Sequence, residues 1–268
     1  MSKNLRIFVT GGKGFVGLNL VEELRENPKS DVLVYNKDIC RKIELKNDFD
    51  IIYHLAANTD TRYPSDVEMY RNNILGFLNI LDFALKGKSK LIYASSASVY
   101  GDYKKTAYAE SKMICDEIAE FFFNRLPIVG LRFFNVYGPG EKQKGRMASM
   151  VTNWALQIKA GKRPVAFKEE RKTKRDFVYV KDIVKALLEA RNVKGGIYDA
   201  GTGKPRTFDD VLVNVQKNLG TRKKPVYISN PYKDRYQRFT RANLNWGFKP
   251  DYSLEEGIED YLTHHSTV

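Results

Sequence analysis

Short apolar runs alternate with amphipathic stretches along most of the chain. Residues 5–9 read as a buried strand, and Phe15, Val16, Leu18, Leu20, Val21 and Leu24 follow at helical spacing. Residues 31–35 and 50–57 read as further strands, and the pattern over 67–86 predicts a helix. The run from Leu91 reads as a strand ending in the hydroxyls of Ser95 and Ser96, and residues 108–123 as a helix. Strand 128–134 follows the break at Pro127. Beyond it come helix 147–160, strand 175–180, helix 182–191, short strand 196–200 and helices 208–219 and 254–262. This alternation predicts an α/β fold, a doubly wound, mostly parallel Rossmann sheet covered on both faces, with a smaller C-terminal α/β substrate lobe. The expected division gives 1–140 and 172–203 to a dinucleotide-binding domain, and 141–171 and 204–268 to the interleaved lobe. Only residues 42–49 separate the second strand region from the third, so the strand and helix usual there look cut short. No internal repeat or coiled coil is visible.

Composition narrows the class. At 268 residues and 43% hydrophobic positions, the chain can build one large core or two joined lobes. No apolar run approaches the ~20 residues of a membrane span, and the first residues do not read as a signal peptide. Cys40 and Cys115 lack a CxxC partner, which predicts reduced thiols in a cytoplasmic protein. Of three histidines, two are the adjacent His264 and His265, so no metal site is expected. The net charge is +13, but its lysines and arginines are scattered and accompany no nucleic-acid motif. The positive field instead suits anionic small molecules such as nucleotide-sugars.

The candidate chemistry starts at Thr10-Gly-Gly-Lys-Gly-Phe-Val-Gly17, a glycine turn between the first strand and the first helix. Gly11 permits the turn, Gly14 leaves room for a pyrophosphate, and Gly17 lets the helix pack close. The helix N-terminus then faces the phosphates with its unpaired N–H groups. At the tip of the second strand stand Asn36, Lys37 and Asp38, with Arg41 nearby. A neutral tip beside cations favours a 2′-phosphate, hence NADP, although Asp38 could still hold the ribose of NAD. His54 lies in an apolar run and reads as a core histidine. Ala56, Ala57 and Asn58 end the third strand, where a doubly wound sheet presents its ligand. Asn73 reads equally as a tie between strand ends.

Tyr108 and Lys112 lie one turn apart on one helix face. A phenol with a pKa near ~10 is a poor base at neutral pH. An ammonium beside it stabilises the phenolate. A strand-end serine can hydrogen-bond the same substrate oxygen, so the set can take a proton from an alcohol while hydride leaves its carbon. A second match, Tyr100 to Lys104, follows a strand and a glycine rather than a helix start and is set aside.

Together with His54-Leu-Ala-Ala57, Ser95-Ser-Ala-Ser-Val-Tyr-Gly101, Arg132-Phe-Phe-Asn-Val-Tyr-Gly-Pro139 and Arg175-Asp-Phe-Val-Tyr-Val180, these motifs resemble the extended short-chain dehydrogenase/reductases of nucleotide-sugar epimerase type. Lys144-Gly-Arg-Met-Ala-Ser149, Phe167-Lys-Glu and Asp234-Arg-Tyr-Gln-Arg-Phe-Thr240 resemble the ADP-glycero-manno-heptose 6-epimerase branch. The resemblance implies transient oxidation at C6 of the heptose and reduction from the opposite face. It implies Ser96, Tyr108, Lys112 and Lys144 as catalytic residues. Implied cofactor contacts are Gly11, Gly14, Phe15, Val16, Gly17, Asn36, Lys37, Leu55, Ala56, Ala57, Asn73, Tyr108, Lys112 and Val136. Implied substrate contacts are Ser96, Asn135, Arg146, Asn153, Phe167, Arg175 and Tyr236. A homo-oligomer is also implied. Arg146 replaces a residue that is small in the family, Asn153 replaces a histidine, and the segment between Tyr100 and Tyr108 is short. A dehydratase needs an acid beside the strand-end serine, where Ser95 and Ala97 stand. Another nucleotide-sugar enzyme, or a non-catalytic nucleotide-binding protein, is the alternative.

Overall fold

The computed structural model describes residues 4–101, 106–171, 173–231 and 237–264. Two compact units emerge, one from residues 1–133 and 184–199, the other from 134–183 and 200–268. The expected boundaries at 140/141, 171/172 and 203/204 differ from these, because the short strands Asn135–Tyr137 and Phe177–Tyr179 pair with each other and carry their neighbours into the second unit.

The first unit is built on β1 (Leu5–Thr10), β2 (Ser30–Tyr35), β3 (Ile51–His54), β4 (Lys90–Ser96), β5 (Ile128–Phe133) and β10 (Gly196–Ala200). The strands lie in the order β10-β5-β4-β3-β1-β2, and β2 through β5 are joined by parallel ladders. β1, β3 and β4 are flanked on both sides, which is why their sequences are near-continuous apolar runs. β2 is an edge strand and alternates exposed with half-buried positions. No strand intervenes between β2 and β3 among the described residues, as the short 42–49 segment predicts. The first crossover is α1 (Phe15–Glu26). The expected 67–86 helix is three pieces, α2 (Asp66–Tyr70), a π turn (Arg71–Leu75) and α3 (Gly76–Gly87). The π turn carries Asn72 and Asn73. α4 (Ala107–Phe122) follows, its first turn capped by the Thr106 hydroxyl, which accepts from Ala109 N at 3.2 Å. An aromatic cluster around Phe8 holds one face of the sheet, with Tyr35, Phe49 and Phe83 rings 5.0–5.3 Å away. Burying each such ring is worth about 2–3 kcal/mol.

The second unit joins short ladders to helices. β6 (Asn135–Tyr137) and β9 (Phe177–Tyr179) are parallel, as are β7 (Val165–Phe167) and β12 (Val226–Ile228), while β8 (Lys174–Arg175) and β11 (Arg206–Thr207) are antiparallel. Strand 175–180 of the sequence reading is thus split at Asp176, and α6 (Val180–Glu189) begins at once. α5 (Met150–Lys159), α7 (Phe208–Asn218) and α8 (Leu254–His264) complete the unit. Trp154, Phe177 and Phe208 meet edge-to-face in its core. Among the described residues, no helix is long and apolar enough to cross a membrane.

Candidate active site

In the first unit the chain leaves β1 and turns sharply at Gly11, whose φ of +70° a side chain would strain. A Cβ on Gly11 would also sit 2.5 Å from the Ala56 nitrogen, and one on Gly17 would sit 2.1 Å from the Gly11 carbonyl oxygen. Loop, helix start and β3 exit therefore close on one another at backbone distance. Gly14 takes the N-cap position of α1 with no side-chain cap, so the first turn is left for a ligand to complete.

Beside this turn lies an open cavity of about 470 Å³, lined by Gly11, Lys13, Gly14, Tyr35, Asn36, Lys37, Asp38, Ile39, Cys40, Ala56, Ala57, Asn58 and Asn72. Its size, its glycine floor and the uncapped helix start fit a dinucleotide. Asn36 and Lys37 sit at the end of β2 as expected. The Asp38 carboxylate accepts from Cys40 N at 2.9 Å and meets Arg41 at 3.7 Å, so it is already engaged. Arg41 points into solvent and does not line the cavity. Phe15, Val16, Gly17 and Leu55 support the walls without lining them. Asn73 is buried and spent on protein partners. Its oxygen accepts from Asn58 N at 2.8 Å, and its amide donates to Asn58 O and Ser111 Oγ. It fixes the exit of β3, and its neighbour Asn72 faces the cavity instead.

His54 is a core histidine. Its Nδ1 bonds the Thr10 hydroxyl at 2.8 Å, and burial, with the Lys112 charge adding to it, pushes its pKa down to about 3. The unfolded chain takes up this proton near pH ~6.5 and the folded chain does not. Stability therefore falls as pH drops from about 6.5 toward 3, by about 1.4 kcal/mol per pH unit from this group. At pH 5 the loss is ~2 kcal/mol. His54→Gln keeps a partner for Thr10 and is expected to flatten this slope, which urea melts at pH 7 and pH 5 measure.

Lys112 is buried and donates to Ala94 O at 2.7 Å, so it stands against β4. Tyr108 is half-buried on the first turn of α4, and Ser111 Oγ donates to its carbonyl at 2.8 Å. Ser96 Oγ accepts from Ser98 N at 3.2 Å and so caps the short 3₁₀ turn Ala97–Val99. Ser95 and Ser98 carry buried hydroxyls with no hydrogen-bond partner among the described residues. Tyr100 bonds Asp199 at 2.7 Å and receives Arg132 Nη1 at 3.0 Å, a structural use that agrees with setting it aside. Its would-be partner Lys104 lies outside the described residues.

In the second unit, Asn135 and Val136 open β6, with Asn135 N donating to Asp176 O at 2.9 Å. Lys144 and Arg146 lie on a 3₁₀ segment, Glu141–Met147. The segment is tied down by Glu141, a buried carboxylate hidden from sequence reasoning by its basic neighbours. Gly145 breaks the segment at φ +53°, ψ −124°, a conformation only glycine adopts cheaply. Ser149 then caps α5, accepting from Thr152 N at 3.4 Å. Asn153 is turned back onto Ala148 O at 2.7 Å. Phe167 ends β7 and lines a small aromatic cleft with Met150, Trp154, Phe208 and the Arg171–Asp209 pair. Arg175 is 5% exposed and donates to Gln237 Oε1 at 3.1 Å. Tyr236, also expected here, lies outside the described residues. Among the described residues no cluster of three metal-ligating side chains occurs.

Sequence reasoning missed Asp176. Wholly buried, its carboxylate accepts from Thr202 N, Thr202 Oγ1, Gly203 N and Ala242 N at 2.6–2.9 Å. Its partners lie 26 to 66 residues away, so no local pattern reveals it.

ADP-L-glycero-D-manno-heptose-6-epimerase of Brachyspira hyodysenteriae is 33% identical over 310 residues, covering 95% of this chain and 96% of the relative. That alignment is longer than the 268-residue chain, so the relative has segments this chain lacks. The crystal structure of Helicobacter pylori ADP-L-glycero-D-manno-heptose-6-epimerase superposes with a TM-score of 0.91 at 34% identity, covering 99% of this chain and 98% of that one. UDP-glucose 4-epimerase of Thermotoga maritima, solved with UDP-glucose, gives 0.85 at 25% identity, covering 96% and 97%. Residues 7–201 match the profile of the NAD dependent epimerase/dehydratase family, and the chain belongs to that family.

Proposed function

We propose that the protein is an ADP-glycero-manno-heptose 6-epimerase, with the first unit holding the dinucleotide and the second the nucleotide-sugar. The observation that carries this reading is the loop Lys144-Gly-Arg-Met-Ala-Ser149, held rigidly at the start of α5, in a chain that also carries Ser96, Tyr108 and Lys112. When bound, the dinucleotide supplies the acceptor and donor of hydride at C6. Tyr108 takes the proton of the C6 hydroxyl as hydride leaves the carbon, and Ser96 Oγ holds the same oxygen. Lys112, anchored on Ala94 O, stands one helical turn from Tyr108 on the same face of α4. The sugar ketone then presents its other face, and as hydride returns Lys144 gives a proton to the oxygen. Arg175, buried and planar, grips the diphosphate, while Asn135 and Phe167 flank the sugar and nucleotide. NADP is the favoured cofactor, because Lys37 lines the cavity at the end of β2 while Asp38 is occupied by Cys40 N and Arg41.

Incubating the purified protein, with whatever dinucleotide it carries, with ADP-D-glycero-D-manno-heptose tests the reading. Proton NMR is expected to show a mixture of the two C6 epimers. No conversion, with dinucleotide still released on denaturation, would move the assignment to another nucleotide-sugar and point to Arg146 as the residue that excludes the heptose.

A further inference from the structure

The carboxylate of Glu141 is unusual for its place. It sits in the basic run from Glu141 to Arg146, yet it is 1% exposed. Oε1 accepts from Ser149 N at 2.7 Å, and Oε2 accepts from Ser149 Oγ at 2.7 Å and Thr152 Oγ1 at 2.6 Å. Thr152 Oγ1 in turn meets Tyr261 Oη of α8 at 3.1 Å. One carboxylate thus fastens the 3₁₀ segment to the first turn of α5. Lys144 follows Glu141 by three residues, and side chains three apart on a 3₁₀ turn eclipse one another.

We propose that Glu141 is a positioning residue for Lys144, fixing its segment and holding a negative charge beside its ammonium. The proposal rests on Lys144 being the second acid/base group. Burial raises the pKa of Glu141, and the positive charge of Lys144 works against that rise, so the two groups sense each other. The titratable groups facing Glu141 are Lys144 on its own turn and Tyr261 on α8, while Ser149 and Thr152 of α5 are neutral. The ammonium of Lys144 is the group that gives a proton to the sugar oxygen in the proposed reaction. A lysine on an untethered basic loop would instead spend most of its time in solvent.

The test compares wild type with Glu141→Gln, Glu141→Asp, Thr152→Val and Lys144→Ala in the NMR epimerisation assay across pH, with Tm recorded for each. Glu141→Gln keeps shape and most hydrogen bonds. It is expected to lower kcat about tenfold or more at unchanged KM, and to move a limb of the pH–rate profile toward lower pH. Glu141→Asp keeps the charge and is expected to restore the wild-type limb. Thr152→Val removes one donor but not the charge, and is expected to lower kcat with the limb unmoved. It also serves if Glu141→Gln does not fold. A lower Tm with kcat and pH profile unchanged in both Glu141→Gln and Thr152→Val would make Glu141 merely structural and overturn the proposal, with Lys144→Ala still inactive. Full activity in Lys144→Ala would overturn the proposal together with the reading beneath it.

Discussion

Tyr108→Phe is expected to lower the rate of C6 epimerisation by about 10³-fold while leaving the fold and the affinity for substrate nearly intact, a size typical of losing a positioned acid/base group. The substitution removes one oxygen from a half-buried side chain on the first turn of α4, where the Thr106 cap and the Ser111 bond to the Tyr108 carbonyl both survive. Lys112 keeps its bond to Ala94 O, so the positive charge stays where it was. On the proposed mechanism, what is lost is the atom that receives the substrate proton. The interaction strengthens in the transition state, so the loss should fall on kcat and leave KM almost unmoved. Rates from NMR time courses, with the dinucleotide released on denaturation quantified in parallel, check both halves. A variant that turns over at the wild-type rate would show that this chain does not use the phenol.

Asp176→Ala is expected to destabilise the protein by about 3–5 kcal/mol, lowering Tm by about 10 °C or more. Four donors converge on this carboxylate, three of them backbone N–H groups, and all would be left in a buried place without an acceptor. Water entering the vacated space recovers part of the loss. Asp176→Asn is the sharper experiment. One oxygen accepts from both Thr202 groups and the other from Gly203 N and Ala242 N. Whichever way the amide is turned, its NH₂ faces at least one N–H donor. Asparagine, though the same size, should therefore rescue little of the alanine loss, which thermal or urea melts of the three proteins will show. Arg175 ends β8 and immediately precedes Asp176, so, if Arg175 grips the diphosphate as proposed, both variants should also weaken nucleotide-sugar binding.

The elements that could be read from the chain are those whose information is local. The glycine spacing at Gly11, Gly14 and Gly17 encodes its own turn, and Tyr108 with Lys112 encodes its own helix face. The shortness of segment 42–49 announced that the strand and helix usual there are cut short, and no strand stands between β2 and β3 among the described residues. Three features escaped for distinct reasons. The π turn at Arg71–Leu75 breaks the period on which a helix reading depends, and within it Asn72 faces the cavity while Asn73 is locked to Asn58 and Ser111. Glu141 looks like a solvated member of a charged run, since nothing nearby announces that Ser149 and Thr152 will fold onto it. Asp176 is invisible for the opposite reason, because its partners come from chain segments far beyond any local window.

The edge position of β2 has a dynamic consequence. In a parallel sheet a strand's amides point alternately to the neighbours on its two sides. β1 has a strand on each side, so its amides are sealed in both directions and should exchange with deuterium only when the whole unit opens. Among the described residues β2 has β1 on one side only, and its outward amides meet no further strand. Residues 30–35 should therefore exchange in a comb, every second amide fast, along the strand that carries Asn36 and Lys37 to the cavity. A dinucleotide seated there would slow the opening of β2 and deepen the protected teeth of that comb, so that deuterium uptake in six residues would report occupancy without any turnover.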